Sequence, residues 1–290
     1  MGIRILTDSA GDLRPQEIED LQIVELPIVI LVDDQEFYEN ETIQKSQVYD
    51  RLKEGKRVTT AQITLHRFLE QFKAFASAGE SCIYVSLSSK LSGTYQAACL
   101  AKKQIMDRYP DFDLTIFDSR SVSYGQGLMA KRAAELANLG VPKEMILESL
   151  NFFRDKMRIY FTVGTLEYLY KGGRLSKTSA LLGGLLGIAP ILGIENGQVV
   201  VIGKQRGVKK AWRKMIDLMD VETQCEPTML VVGNSGTLDD VDRFLRLMSK
   251  RLPGVNPEVI LPGAAIGAHT GPGLQAIFYL AEKEPEKSEG

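Results

Sequence analysis

Three short apolar runs each stop at a hydroxyl-rich turn: "IRILTDS" from Ile3, "SCIYVSLS" from Ser81 and "DLTIFDS" from Asp113. Each has the length of a strand. The second and third are followed by segments of helical spacing, over residues 92–106 and about 126–139. A further β-rich stretch covers residues 23–33. Strands alternating with helices predict a parallel sheet with helices on both faces. The second half is patterned differently. A helix and strand span residues 143–163, and Asn196-Gly197 marks a hairpin turn inside a β-rich run. A helix follows near residues 209–219, then strand, loop and helix to about 252, and a closing segment over 263–280. The reading is an α/β chain with an N-terminal α/β domain over 1–160 and a second α/β domain over 161–284. The charged, proline-bearing residues 285–290 are expected to be a frayed tail.

The 290 residues are 44% hydrophobic and 25% charged, enough to bury a large core. A net charge of −2 argues against a dedicated nucleic-acid binder, and no nucleic-acid partner is expected. The start, "MGIRILTDSAGDL", has too short an apolar run for a secretion signal. Cys82, Cys99 and Cys225 are odd in number and widely spaced. Reduced thiols in a cytoplasmic protein are expected. With His66 and His269 alone, a histidine-rich metal site is not available, and no metal is expected. His66 sits in a helical pattern among charged neighbours and reads as a surface residue. The two commonest phosphate-binding glycine motifs and the G-x-S-x-G elbow are missing, so nucleotide binding and a hydrolase triad lose support.

What remains is clustered. Four loops concentrate hydroxyls: residues 7–12, 59–64, 86–94 and 118–125. Ligands sit at the carboxyl ends of parallel strands, where three of these loops fall. "LSGT" (91–94) starts a helix, whose free N–H groups favour an anion. Helix caps and turns would account for the same residues. "GAHTGPG" (267–273) places one His beside Thr270 between glycines; a tight turn with a satisfied His fits equally. Arg174, after a Gly-Gly pair, reads as an anion or docking contact, or as a surface Arg. Lys204 and Arg206 belong to the one basic run, 203–214, which suits an acidic partner, an anionic membrane or a solvated face. The run "ALLGGLLGIAPIL" (180–192) carries no charge, and is too short to cross a bilayer, which takes about 20 apolar residues. Its glycines leave room beside the backbone, for close packing or for a slender apolar tunnel.

The ordered set "ILTDSAGDL", "VTTAQIT", "VSLSSKLSGTYQAA", "IFDSRSVSYGQGL", "TLEYLYKGGRLS", "LLGIAPIL" with "GQV", "KQRGVKKA" and "GAHTGPG" resembles the DegV family across nearly the whole chain. These are fatty-acid-binding proteins that include the FakB subunits of bacterial fatty acid kinase. The resemblance implies a two-domain DegV-like fold, with a parallel-sheet N-terminal domain and a second domain enclosing an acyl-chain tunnel. It implies one bound long-chain fatty acid and no cofactor. Thr60, Ser92 and His269, with the Gly93 backbone N–H, would hold the carboxylate. Leu182, Gly183, Leu186, Gly187, Ile188 and Ile191 would line the tunnel. Arg174, Lys204 and Arg206 would dock a fatty acid kinase catalytic subunit or touch a membrane transiently. The chain departs from the family at Ala61 and Ile63, where Ser and Pro are usual. Burying roughly 15 methylenes at about 0.8 kcal/mol each yields about 12 kcal/mol gross, ample for tight binding. On this reading the protein is no enzyme: it carries the fatty acid, and the partner phosphorylates the carboxylate to acyl-phosphate. Two rivals are an enzyme using Ser92 and His269 as nucleophile and base on a small anionic or phosphorylated substrate, and a fatty-acid sensor.

Overall fold

The computed structural model describes residues 2–175, 187–223 and 228–284. From the N-terminus the chain forms β1 (Ile3–Asp8), a 3-10 turn (Ser9–Gly11), α1 (Pro15–Asp20), β2 (Val24–Leu26), β3 (Val29–Val32), β4 (Gln35–Tyr38), α2 (Lys45–Lys53) and β5 (Val58–Ala61). Next come α3 (Leu65–Ser77), β6 (Ser81–Ser86), α4 (Thr94–Arg108), β7 (Leu114–Asp118), α5 (Tyr124–Asn138) and α6 (Lys143–Lys156). The later part holds β8 (Met157–Thr162), α7 (Glu167–Lys171), β9 (Ile188–Glu195), β10 (Gln198–Arg206), α8 (Val208–Thr223) and β11 (Thr228–Asn234). It closes with α9 (Leu238–Arg251), β12 (Glu258–Ile260), α10 (Ala264–Thr270) and β13 (Gln275–Leu280).

The expected parallel sheet is present, in the order β2-β1-β6-β7. Its strands are apolar on both faces because both are covered. Leu6 and Tyr84 point to one side, into a cluster with Phe68 and Phe72 of α3 and Ala98 of α4. Ile5, Ile83 and Val85 alternate to the other, against Leu128 and Met129 of α5 and Leu150 of α6. The stretch 23–33 is not one strand. Pro27 interrupts it: Val24–Leu26 pairs in parallel with β1, while β3 turns away into a three-stranded antiparallel sheet, β4-β3-β5. Proline has no N–H to give a central ladder, so the chain changes sheets there.

The second sheet has the order β10-β9-β8-β13-β11-β12. It begins at Met157, close to the boundary expected near 160. One face joins the α5–α6 layer through Ile159, Phe161 and Phe278. The other is covered by Trp212 and Met215 of α8 and Phe244 of α9. The two halves interlock, because α10 lies in the same buried cluster as Ile30 of β3 and Tyr49 of α2. His66 is exposed on α3, 3.3 Å from Glu70 Oε1 one turn on. Cys82 is a buried free thiol, Cys99 is half-buried and free, and Cys225 lies outside the described residues. Among the described residues no helix is long and apolar enough to cross a membrane.

Candidate functional site

A cavity opens where the sheets meet. Ala10, Leu87 and Val122 close it from the carboxyl ends of β1, β6 and β7. This is the expected place for a ligand, since β1 and β6 flank the point where strand order reverses. Ile28 and residues 60–62 come from the small antiparallel sheet and the residues that flank it, and Phe161, Ile194 and Val199 from the second sheet. Helix α10 adds Ala265, Ile266, His269 and Thr270, and the α7 region adds Leu169 and Arg174. The lining is apolar over most of its extent, with polar groups gathered at one end.

At that end Thr60 Oγ1 and His269 Nε2 are 2.8 Å apart. If Nε2 carries the proton, the ring donates to Thr60 and frees the threonine O–H to donate to a ligand. His269 Nδ1 is buried and, among the described residues, has no hydrogen-bond partner. It faces Gly172, where an added Cβ would sit 2.2 Å from Nδ1. Burial, then the nearby Arg174 guanidinium, pull the His269 imidazole down to about 3, so the ring is neutral near pH 7. Among the described residues that line the cavity, Arg174 is the cation. It is half-buried, donating from Nε to Leu91 O at 2.9 Å and from Nη1 to Gly172 O. Burial lowers its affinity for a proton, yet a guanidinium keeps its charge.

Ser92 and Gly93 stand at the start of α4. Ser92 Oγ donates to Thr94 Oγ1 (2.9 Å) and accepts from Thr94 N (3.2 Å). A Cβ on Gly93 would lie 2.0 Å from Gln62 Oε1, so only glycine lets the Gln62 amide lie over the helix start. The geometry needed for a nucleophile–base pair is not formed here. His269 Nε2 faces Thr60, and the Ser92 hydroxyl is turned to Thr94.

The structure therefore gathers Thr60, Ser92, Gly93 and His269 around one cavity. It adds Arg174, which the sequence offered as an anion or docking contact, and Gln62. Lys204 and Arg206 are elsewhere, exposed on the edge strand β10. Of the residues expected along the tunnel, Leu182, Gly183 and Leu186 lie outside the described residues. Gly187 makes the turn before β9, at φ +83°, and Ile188 starts that strand half-buried. Ile191 points away from the cavity, into the cluster with Trp212 and Met215. Its neighbour three residues on, Ile194, faces inward. The period of two decides this, and residues 188–199 carry it legibly once they are read as a hairpin. Thr60, Arg174 and His269 also form one wall of an outer groove bordered by Lys56, Arg57 and Lys171. These three residues thus border both the cavity and the groove.

Fold and site together define an α/β protein built around an apolar cavity with one polar end. The DegV family model, described as an uncharacterised protein family, matches residues 2–282, and the chain belongs to that family. A DegV domain-containing protein of Clostridium perfringens is 32% identical over 287 residues, 97% of this chain and 98% of that protein. A DegV family protein from Thermus thermophilus, described for its fatty acid binding, superposes with TM-score 0.86 at 29% identity, covering 97% of this chain and 99% of the other. DegV of Bacillus subtilis, described as a fatty acid binding protein, gives 0.84 at 27% identity over 97% and 99%.

Proposed function

We propose that this protein binds one long-chain fatty acid in the cytoplasm and presents its carboxylate to a separate fatty acid kinase. The acyl chain lies along Phe161, Ile194, Val199 and Ile266. The carboxylate is held by Thr60, Ser92, the Gly93 N–H and Arg174, with neutral His269 orienting Thr60. The observation that carries this reading is the cavity's polarity: apolar over most of its lining, with hydroxyls, a helix start and a guanidinium together. An unpaired buried carboxylate would be very costly, and charge-assisted hydrogen bonds of this kind offset that cost. The outer groove supports presentation, since it brings the exterior up to Thr60 and His269. The fatty-acid-binding relatives above support the ligand class. The protein acts as a carrier with no chemistry of its own, and Lys204 and Arg206 serve as contacts for the kinase or a membrane surface.

The test is titration of delipidated protein with a fatty acid and with the fatty alcohol of equal length. The acid should bind one per chain and the alcohol much more weakly. Equal binding would remove the head-group role. Affinity capture from a bacterial lysate should recover an ATP-using subunit. Recovery of a transcription factor instead would favour the sensor, and turnover of acyl-phosphate by the protein alone would favour the enzyme.

A further inference from the structure

Gln62 borders the cavity beside Ser92 and Gly93, and its side-chain amide is uncommitted. It stands just past the end of β5, two residues after Thr60, and both side chains line the cavity. The backbone that follows it is pinned to the start of α4. Ile63 is 1% exposed, and its N–H donates to Thr94 Oγ1 at 3.4 Å, the same oxygen that receives the Ser92 hydroxyl. The Gln62 side chain is exposed and, among the described residues, makes no hydrogen bond. Its Oε1 nevertheless lies over the first turn of α4, where a Cβ on Gly93 would come within 2.0 Å of it. The free N–H groups of a helix start favour an acceptor oxygen at that place, and favour an anion more.

A carboxylate entering the cavity competes for this position. Its two oxygens accept about four hydrogen bonds when fully satisfied. Thr60, the Gly93 N–H and Arg174 supply donors, but the Ser92 proton is already given to Thr94 Oγ1. The Gln62 amide can supply the missing one. A half turn about its last side-chain bond exchanges Oε1 for Nε2 at the same place, and a side chain without a partner breaks no hydrogen bond to make that turn. A donor facing a carboxylate forms a stronger bond than the same donor facing a neutral hydroxyl.

We infer that Gln62 selects the ligand's head group. In the empty protein its carbonyl oxygen lies over the start of α4; when a fatty acid enters, the carboxylate takes that position and the Gln62 NH2 turns to donate to it. The inference deepens the fatty-acid reading of the same cavity and rests on it for the ligand. It does not rest on it for the placement of the amide over the helix.

The experiment titrates delipidated wild type, Gln62→Ala and Gln62→Glu with a fatty acid and with the fatty alcohol of equal length, at neutral pH. Gln62→Ala removes the donor and should weaken the acid about tenfold. Gln62→Glu keeps the shape but fixes an anion over the helix start, and should weaken the acid further, because two carboxylates within a few ångströms repel. Both variants should hold the alcohol within about threefold of wild type, since the lost bond is weaker for a neutral partner. The side chain is exposed, so neither substitution disturbs the core. Equal losses for acid and alcohol would show that Gln62 only shapes the mouth of the cavity, and wild-type acid affinity in both variants would show that it does not meet the head group; either result overturns the inference. Amide exchange at Gly93, Tyr95 and Gln96 is measured in the same proteins without ligand. Gln62→Ala should speed it and Gln62→Glu should slow it, and unchanged exchange in both variants also overturns the inference. A wild type that binds neither ligand yet shows this exchange pattern would sink the fatty-acid reading and leave the amide's place over α4 standing.

Discussion

Arg174 supplies the positive charge at the polar end while burial keeps the neighbouring His269 neutral. The imidazole falls from an ordinary 6.5 to about 3, so as pH falls the unfolded chain takes up a proton at His269 before the folded one does. The stability this residue contributes is present above pH 6.5 and is lost as pH falls toward 3. Denaturant unfolding of His269→Gln should accordingly show a shallower loss of stability than wild type between pH 6.5 and 4. An unchanged slope would mean the ring is solvated. Gly172 has an ordinary negative φ, and what excludes a side chain there is the His269 ring. Gly172→Ala should displace the ring against surrounding packing, at a cost of about 1–3 kcal/mol expressed in ligand affinity. Calorimetry that finds wild-type affinity would show that the ring position does not matter.

At the scale of an element, β9 divides its labour by alternation. Ile191 belongs to the cluster under α8, and Ile194 to the cavity wall. Ile191→Ala should cost about 2–5 kcal/mol of folding stability with the affinity of the folded protein unchanged. Ile194→Ala should weaken fatty-acid binding by about 2 kcal/mol, from methylenes at about 0.8 kcal/mol each, with a smaller effect on stability. Paired melting and titration of the two variants separates the roles, and the reverse pattern would place the acyl chain on the other face. The parallel sheet was legible because its strands are short apolar runs ending in hydroxyl turns. The change of sheet at Pro27 was less so, since the run 23–33 is β-rich on both sides of the proline and only long-range pairing assigns the halves.

For the molecule as a whole, the site exists because two halves with different sheets close on each other. Thr60 and Ser92 come from the first half and Arg174 and His269 from the second, so neither half holds the polar end alone. The individual motifs were readable in order along the chain. Their convergence, and the presence of Arg174 among them, depended on tertiary packing. The central claim is that this junction holds one long-chain fatty acid. The most direct measurement is mass spectrometry of one preparation, native and after organic extraction. The account predicts one fatty acid per chain in the native spectrum, released on extraction, with occupancy falling in Thr60→Val and His269→Ala. Protein that is lipid-free and also refuses added fatty acid would contradict it.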